Sequence, residues 1–138
     1  MSKIAEPDIT KATDAVAAYC RLYGISPSFE MSKIYHLTED NWRNPIPFAE
    51  HAGCYFFYAE DGTLLYVGKA SLRADLAGRI TPYFTRSPSF GPSHDGWSAP
   101  PRYLQTLKVR DPHEAPSLEE YLIHKLQPRD NKLGRKRD

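Results

Sequence analysis

The stretch GCYFFYAEDGTLLYVGK, residues 53–69, constrains the fold of this chain more than any other segment. Two runs of aromatic and aliphatic residues flank Asp61-Gly62, a dipeptide typical of tight hairpin turns. Strand side chains alternate between two faces, so the length of the turn decides which residues share a face. The segment predicts a β-hairpin with a two-residue turn.

The predicted register places Tyr55 and Tyr66 on one face of the hairpin. It implies three cross-strand pairs: Tyr58 with Leu65, Phe57 with Tyr66, and Tyr55 with Gly68. Diagonal neighbours of this kind lie within about 8 Å, so both hydroxyls can point at one small target. A three-residue turn would separate the tyrosines onto opposite faces. The structural alternative is that both rings simply cover a hydrophobic core.

The size and composition of the chain fit a single domain. Its 138 residues are 41% apolar, enough for a modest core. No run approaches the roughly 18 apolar residues of a membrane span, and the first residues lack the apolar stretch of a signal peptide. We therefore expect an intracellular, cytoplasmic protein. Cys20 and Cys54 have no metal-ligand spacing and are predicted to be buried free thiols.

Basic residues are concentrated in two parts of the chain, although the formal net charge is only +1. Residues 66–110 carry seven Lys or Arg against two Asp, and residues 125–137 carry six against one, so each block has a local charge of +5. Such blocks indicate contacts with phosphates, with a solvated basic tail as the alternative. The predicted nucleic-acid contacts are Lys69, Arg73, Arg86 and Arg102.

Short elements surround the hairpin. The spacing of apolar residues and the positions of Gly and Pro predict helices over residues 8–24, 71–80 and 115–126 and a third strand over residues 103–109. We expect an extension packed on the core over residues 1–50, a domain over residues 51–131 and a basic tail over residues 132–138.

A Pro-, Ser- and Gly-rich loop over residues 86–102 separates the second helix from the third strand. A loop of this length in a compact domain is more often functional than filler. Its aromatic residues, Phe90 and Trp97, either stack on nucleobases or fix the loop to the core.

One acidic residue, Glu119, falls on the apolar side of the predicted C-terminal helix. A helical projection places it on the arc that contains Leu118, Tyr121, Leu122, Ile123 and Leu126. An ionised carboxylate on such a face costs several kcal/mol unless a cation meets it. The pattern predicts a divalent metal ion or an arginine beside Glu119, and a structural salt bridge is the alternative.

Two arginines in the second predicted helix are candidate phosphate ligands. Arg73 and Arg79 flank its apolar stripe, Leu72, Leu76 and Ile80, by similar angles. Helical geometry alone leaves the choice between them open.

Four motifs occur in the order found in the GIY-YIG nuclease superfamily, which the chain resembles over about residues 52–131. They are Gly53-Cys54-Tyr55, Tyr66-Val67-Gly68, the segment YVGKASLRADLAGRITPYF, and the segment APSLEEYLIHKLQPRDN. The third segment is similar to one in the incision subunit of bacterial nucleotide excision repair. That likeness selects Arg79 as the functional arginine, although its longer spacing from Tyr66 leaves Arg73 as a substitute. The last segment aligns the superfamily's metal-binding glutamate with Glu119 and its terminal asparagine with Asn131.

The resemblance implies an α/β (α+β) fold, with a small central three-stranded antiparallel sheet flanked by helices and preceded here by an N-terminal helical extension. It implies a metal-dependent endonuclease that hydrolyses phosphodiester bonds in DNA with one Mg²⁺ or Mn²⁺ ion held by Glu119. Tyr55, Tyr66, Arg79 and Glu119 are the expected catalytic residues. Gly68, Lys69 and Asn131 are the expected supporting residues.

Three other interpretations accompany this one. A nucleic-acid-binding module with the same fold and no cleavage of its own is the first alternative, and an interaction protein whose tyrosines and Glu119 are core residues is the second. Metal sites at His94 and Asp95, or at His113 and Glu114, are weaker hypotheses because neither pair has a third ligand at a recognisable spacing.

Overall fold

The computed structural model describes residues 6–86, 89–93 and 95–131 of the chain. The helices in these ranges are α1 (Glu6–Leu22), α2 (Leu76–Ile80) and α3 (Glu114–Leu126). The strands are β1 (Tyr35–His36), β2 (Gly53–Tyr58), β3 (Leu64–Ala70), β4 (Phe84–Thr85), β5 (Gly91–Pro92) and β6 (Tyr103–Lys108). The predicted basic tail, residues 132–138, lies outside the described residues.

The fold is α+β, and its main sheet is antiparallel with the strand order β1-β6-β2-β3. It therefore has four strands, and the predicted count of three is wrong. The additional strand β1 pairs Tyr35 with Leu104 and His36 with Tyr103 on β6. A two-residue strand carries no alternating pattern that sequence analysis can detect. Residues before the hairpin thus complete the sheet, and β3 forms one of its edges.

The hairpin turn has three residues, so the prediction of a two-residue turn is wrong. The N–H of Ala59 donates to the carbonyl of Thr63 at 2.9 Å, which leaves residues 60–62 in the loop, and Gly62 adopts a positive φ of 89°. The pairing of β2 with β3 then shifts by one residue between Tyr58 and Phe57, because Leu65 is an extra residue in β3. This β-bulge compensates for the longer turn.

The compensation preserves the pairs that matter for the two tyrosines. Tyr55 lies opposite Gly68 and Phe57 lies opposite Tyr66, as predicted, whereas Tyr58 lies opposite Leu64. The ring centroids of Tyr55 and Tyr66 are 6.3 Å apart. The prediction that both phenols share one face is therefore confirmed, although the turn that was expected to produce this arrangement is different.

The sheet separates two hydrophobic clusters. On one face, Cys54, Phe56 and Val67 pack with apolar residues of α1 and α3. On the other face, Tyr55 and Phe57 pack with α2 and with residues that precede β2. Both cysteines are buried and free, as predicted. No helix within the described ranges has the length and hydropathy needed to cross a membrane.

The second helix is shorter than predicted. It begins after Asp75, whose side chain accepts a hydrogen bond from the N–H of Gly78, and this N-cap excludes residues 71–75 from the helix. Leu72 has a positive φ of 57° and is 76% exposed, so it does not belong to the apolar stripe predicted for this helix. Leu76 and Ile80 are buried as expected.

The long loop is attached to the core by aromatic residues. The ring of Phe90 stacks on Phe84 with centroids 5.6 Å apart and an interplanar angle of 9°, and it also contacts Trp42 at 5.2 Å. The strands β4 and β5 pair at the start of the loop. For Phe90, the alternative in which the loop is fixed to the core is the one that the structure supports.

Candidate active site

A cluster of aromatic rings surrounds the two predicted tyrosines on the α2 side of the sheet. Tyr55 is buried in the middle of β2, and Tyr66 on β3 is partly exposed. A third phenol, Tyr83, lies 6.0 Å from each of them between ring centroids. The sequence therefore assembles three hydroxyl groups on one face of the sheet.

Tyr83 links the other two phenols. Its hydroxyl lies 3.1 Å from the hydroxyl of Tyr55. Burial raises the pKa of Tyr66 well above its ordinary value, with a hydrogen bond to Tyr83 as the next cause. Burial also raises the pKa of Tyr55, again with Tyr83 contributing. Sequence reasoning missed this residue as part of the site, and its position in the Tyr-Phe pair after Arg79 was the available signal.

Gly68 allows Tyr55 to occupy its position. A Cβ atom added to Gly68 would lie 2.2 Å from Cζ and 2.3 Å from the hydroxyl oxygen of Tyr55, which is far inside contact distance. The phenol ring of Tyr55 itself fills the space that a side chain at position 68 would occupy. A residue without a side chain is thus required at this position.

Glu119 is half-buried on α3 beside the edge strand β3. Burial raises the pKa of its carboxyl group above the ordinary value, and the positive charges of Lys69 and Arg79 act in the opposite direction. The charge of Glu119 in turn contributes to the raised pKa of Tyr66. Because β3 is an edge strand, the carboxylate and the phenol are within electrostatic range of each other although they come from elements on different faces.

The carboxylate of Glu119 has no hydrogen bond and no ion pair with another residue in the ranges that the structure describes. The alternative in which a structural salt bridge satisfies Glu119 is therefore not realised there. The positive charges of Lys69 and Arg79 lower the pKa of Glu119, although neither side chain forms an ion pair with it. A partly desolvated carboxylate without a partner is a ligand that suits a hard divalent cation.

These residues fit a hydrated metal ion rather than a fully protein-bound one. No group of three or more His, Cys, Asp or Glu side chains that could hold a metal occurs among the described residues. Mg²⁺ commonly keeps several water ligands and uses one or two carboxylates together with substrate phosphates. Glu119 would be the protein ligand in such a site.

Arg79 extends from α2 toward the same site. Its charge lowers the pKa of Tyr55, Tyr66 and Glu119 against the larger effect of burial. Arg79 is exposed and lines a cavity of about 360 Å³ together with Gly78, Pro82 and Tyr83. Arg73 is also exposed, but it lies before the N-cap of α2 and not on the helix. The structure brings Arg79 together with the phenols and Glu119.

Asn131 fixes the backbone of β3 next to Tyr66. Its side-chain oxygen accepts from the N–H of Val67 at 2.8 Å, and its side-chain nitrogen donates to the carbonyl of Val67 at 3.0 Å. Asn131 is buried. Its role in this structure is to occupy the edge of the strand in the manner of a further strand.

The four predicted nucleic-acid contacts are distributed over different parts of the surface. Lys69 pairs with Cys54 at one end of the hairpin, where its ammonium group donates to the hydroxyl of Ser71 at 3.3 Å. Arg102 lies near the opposite end, because its N–H donates to the carbonyl of Tyr58. Arg86 is exposed, and its charge acts on the phenol of Tyr35. Of these four residues, Lys69 is the one whose positive charge lowers the pKa of Glu119.

The weaker metal hypotheses gain no support. The carboxylate of Glu114 accepts from the Arg110 guanidinium at 2.7 Å and from the N–H groups of Arg110 and Asp111 at 3.0 and 2.8 Å. It therefore forms an ion pair with Arg110 and fixes the backbone that leads into α3. His94 lies outside the described residues.

Comparison with known proteins covers the part of the chain that contains these residues. The family described as the UvrC-like GIY-YIG domain matches residues 51–132, more than half of the chain. The chain belongs to this family. The matched region begins just before the hairpin and ends just past Asn131. It therefore includes the three phenols, Arg79, Glu119 and the two hydrogen bonds between Asn131 and Val67. No solved structure matches the chain significantly.

A curated relative matches the same length of chain. The UvrABC system protein C of Methanospirillum hungatei is 39% identical over 82 residues, which cover 59% of this chain and 15% of the relative. The chain thus spans a small part of that relative's length. The resemblance of the GIY-YIG domain to a nuclease superfamily is established, whereas residues 1–50 lie outside the family match.

Proposed function

We propose that this GIY-YIG domain is a metal-dependent endonuclease that hydrolyses phosphodiester bonds in DNA. The observation that carries the proposal is the half-buried carboxylate of Glu119, which has no hydrogen-bond or ion-pair partner among the described residues and lies within electrostatic range of Arg79, Lys69 and Tyr66. The choice of DNA follows from the resemblance to the incision subunit of excision repair and from the family of the domain. The finer roles below follow from the chemistry of each side chain.

Arg79 would bind the phosphate of the substrate. A guanidinium group donates two parallel hydrogen bonds to phosphate oxygens, and the exposed position of Arg79 beside a cavity of about 360 Å³ leaves room for that group. Lys69 would add positive charge beside Glu119, with its ammonium held by Ser71. Both cations would stabilise the negative charge that grows on the phosphoryl oxygens during an in-line displacement.

Tyr66 would position the attacking water. Because burial raises the pKa of its phenol, the hydroxyl is protonated at neutral pH in the metal-free protein and is poorly suited to remove a proton there. A neutral phenol can still accept a hydrogen bond from water while donating its own, which orients the oxygen toward phosphorus. Tyr55 would hold this arrangement through Tyr83, whose hydroxyl lies 3.1 Å from its own.

Glu119 would hold one Mg²⁺ or Mn²⁺ ion. When bound, such an ion polarises the phosphate and stabilises the departing 3′-oxygen. Burial keeps the carboxylate of Glu119 partly desolvated, so its negative charge is costly when nothing compensates it. A cation bound to the carboxylate would offset that cost. The expected products carry a 5′-phosphate and a 3′-hydroxyl.

The test is cleavage of branched, nicked, single-stranded and duplex DNA by the purified full chain, with Mg²⁺, with Mn²⁺ and with a chelator. We expect metal-dependent cutting that Glu119→Gln abolishes. Glu120→Gln is the matched control, because Glu120 is the next residue on α3 and is exposed. Cutting that continues in Glu119→Gln would refute the assignment of the metal ligand. Binding that weakens as the salt concentration rises, with no cleavage of any of the substrates, would instead identify a nucleic-acid-binding module.

A further inference from the structure

The short helix α2 begins against a segment that precedes β2. The N–H of Leu76 donates to the carbonyl of His51 at 2.9 Å. The N–H of Ala77 donates to the carbonyl of Ala49, also at 2.9 Å. The first N–H groups of a helix have no partner within it, so these carbonyls satisfy them from outside. A helix of five residues is unstable on its own, and its position therefore depends on such contacts.

The same segment is fixed to the sheet by Thr106 on β6. The side-chain hydroxyl of Thr106 donates to the carbonyl of Pro47 at 2.7 Å. Thr106 is completely buried, and it lies opposite Tyr55 on the face of the sheet that α2 covers. A hydroxyl without a partner at this depth is costly, so the hydrogen bond holds Pro47 in place relative to the sheet.

Residues 47–51, here called the strap, form a tight turn between these two sets of contacts. Phe48 has a positive φ of 58°, which is uncommon for a residue other than glycine. The N–H of His51 donates to the carbonyl of Phe48 at 3.0 Å, so the turn is closed by its own backbone. A displacement at the first residue of the strap therefore passes to the two carbonyls that contact α2.

We propose that Thr106 is a positioning residue that acts through the strap and α2 to set the position of Arg79. This inference rests on the proposed function, in which Arg79 binds the phosphate of the substrate. Arg79 lies about one helical turn after the first residue of α2, so a shift of that end of the helix moves its guanidinium group. Residues 47–50 of the strap lie outside the region that matches the family. The segment before the domain thus supports the phosphate site of the domain.

The test is a double-mutant cycle, measured as single-turnover cleavage by the full chain at saturating protein on the DNA that the unmodified chain cuts best. Thr106→Val keeps the shape of the side chain and removes its hydroxyl, and we expect cleavage to be about tenfold slower. In the Arg79→Ala chain the same substitution is expected to change the rate by less than about twofold, because the group that it would misplace is absent. Thr106→Ser keeps the hydroxyl and is expected to retain most of the rate.

Hydrogen exchange follows the strap without any cleavage. In Thr106→Val we expect the amides of Leu76 and Ala77 to exchange about tenfold faster, since the carbonyls that bind them are no longer held in place. The amide of Val67, on the edge strand β3, is the internal control. Thr106→Ala lacks the hydroxyl and brings no methyl group against the strap, so it replaces Thr106→Val in both measurements if that variant does not fold.

Different results overturn different conclusions. An equal loss of rate with and without the Arg79 side chain would overturn the inference, because Thr106 would then act by another route, such as the packing of its neighbour Tyr55. Unchanged exchange of the two α2 amides, or an equal acceleration at Val67, would also overturn it. Failure of the unmodified chain to cut any DNA would overturn the proposed function, whereas faster exchange confined to the α2 amides would still support the link from Thr106 to α2.

Discussion

The side chain of Asn131 makes both hydrogen bonds that the outward-facing backbone of Val67 can form, at 2.8 and 3.0 Å. Replacing it by alanine leaves a buried donor and a buried acceptor unsatisfied. We expect Asn131→Ala to lower the free energy of unfolding by about 2 to 3 kcal/mol. Urea unfolding measures this change. Asn44→Ala is the control, because the Asn44 side chain is exposed and donates a hydrogen bond to the side chain of Asn41 on the surface. A similar loss of stability there would contradict the role given to Asn131.

The close contact of Gly68 with Tyr55 predicts a strong effect of one methyl group. In Gly68→Ala the new Cβ would lie 2.2 Å from the phenol ring, so the ring must move. We expect a loss of about 1 to 3 kcal/mol in unfolding free energy and about a 100-fold fall in the cleavage rate, because the phenols are displaced. Gly91→Ala is the matched control, since its Cβ would meet no atom within 4 Å. Normal cleavage by Gly68→Ala would show that the position of Tyr55 is unimportant.

The two arginines near α2 are expected to differ in their contribution to cleavage. Arg79→Ala removes the cation whose charge acts on Tyr55, Tyr66 and Glu119, and we expect the rate to fall about 100-fold or more. Arg73→Ala is expected to change the rate little. Single-turnover cleavage at saturating protein separates this effect from weaker binding. The reverse order of effects would identify Arg73 as the phosphate ligand.

The hydroxyls of Tyr66 and Tyr83 have separable roles. Tyr66→Phe removes the hydroxyl that we propose orients water, so we expect about a 100-fold slower reaction with unchanged binding of DNA. Tyr83→Phe removes a hydrogen-bond partner of the site and is expected to slow cleavage about tenfold. Binding is measured with a chelator present and cleavage with Mg²⁺. A Tyr66→Phe variant that cuts normally would limit this phenol to packing.

The environment of Glu119 predicts a stability that changes with pH. Burial raises the pKa of its carboxyl group above the ordinary 4.5, so the folded chain holds this proton to higher pH than the unfolded chain does. The contribution to stability is complete below pH 4.5 and is lost as the pH rises through the folded-state pKa. We expect Glu119→Gln to be more stable than the unmodified chain at pH 7 and equally stable in acid.

Thermal unfolding in metal-free buffers of different pH measures this difference. Addition of Mg²⁺ is expected to stabilise the unmodified chain at pH 7 and to leave Glu119→Gln unchanged, because a ligand stabilises only the form that binds it. Glu120→Gln again serves as the control. A Glu119→Gln variant that is less stable than the unmodified chain at pH 7 would show that the carboxylate makes a favourable contact in the metal-free folded protein. That result would contradict the prediction that the carboxylate is available to bind a cation.

Much of the site could be predicted from the sequence because its residues lie in strongly patterned segments. The apolar arc of α3 identified Glu119 as an anomaly, and its half-buried carboxylate, which forms no ion pair within the described ranges, agrees with that interpretation. The pairs of Tyr55 with Gly68 and of Phe57 with Tyr66 were also predicted correctly. In both cases the regular repeat of the helix or the strand determines which nearby residues lie on the same face.

The missed features depend on contacts between distant segments. Tyr83 is the last residue of a one-turn 3₁₀ helix, Thr81–Tyr83, and no local period indicates that its hydroxyl meets Tyr55 across 28 positions. The strand β1 consists of two residues and is defined by its partner on β6. The turn length was misjudged because Asp61-Gly62 suits more than one loop, and the third loop residue becomes visible only through the Ala59–Thr63 hydrogen bond.

The bulge at Leu65 offsets the longer turn. With the three-residue turn alone, Phe57 would lie opposite Leu65, and Tyr66 would lie opposite Phe56 on the α3 side of the sheet. The extra residue in β3 returns Tyr66 to the position opposite Phe57. The side of the sheet on which this phenol lies is therefore decided by an irregularity of the backbone and not by the identity of the tyrosine alone.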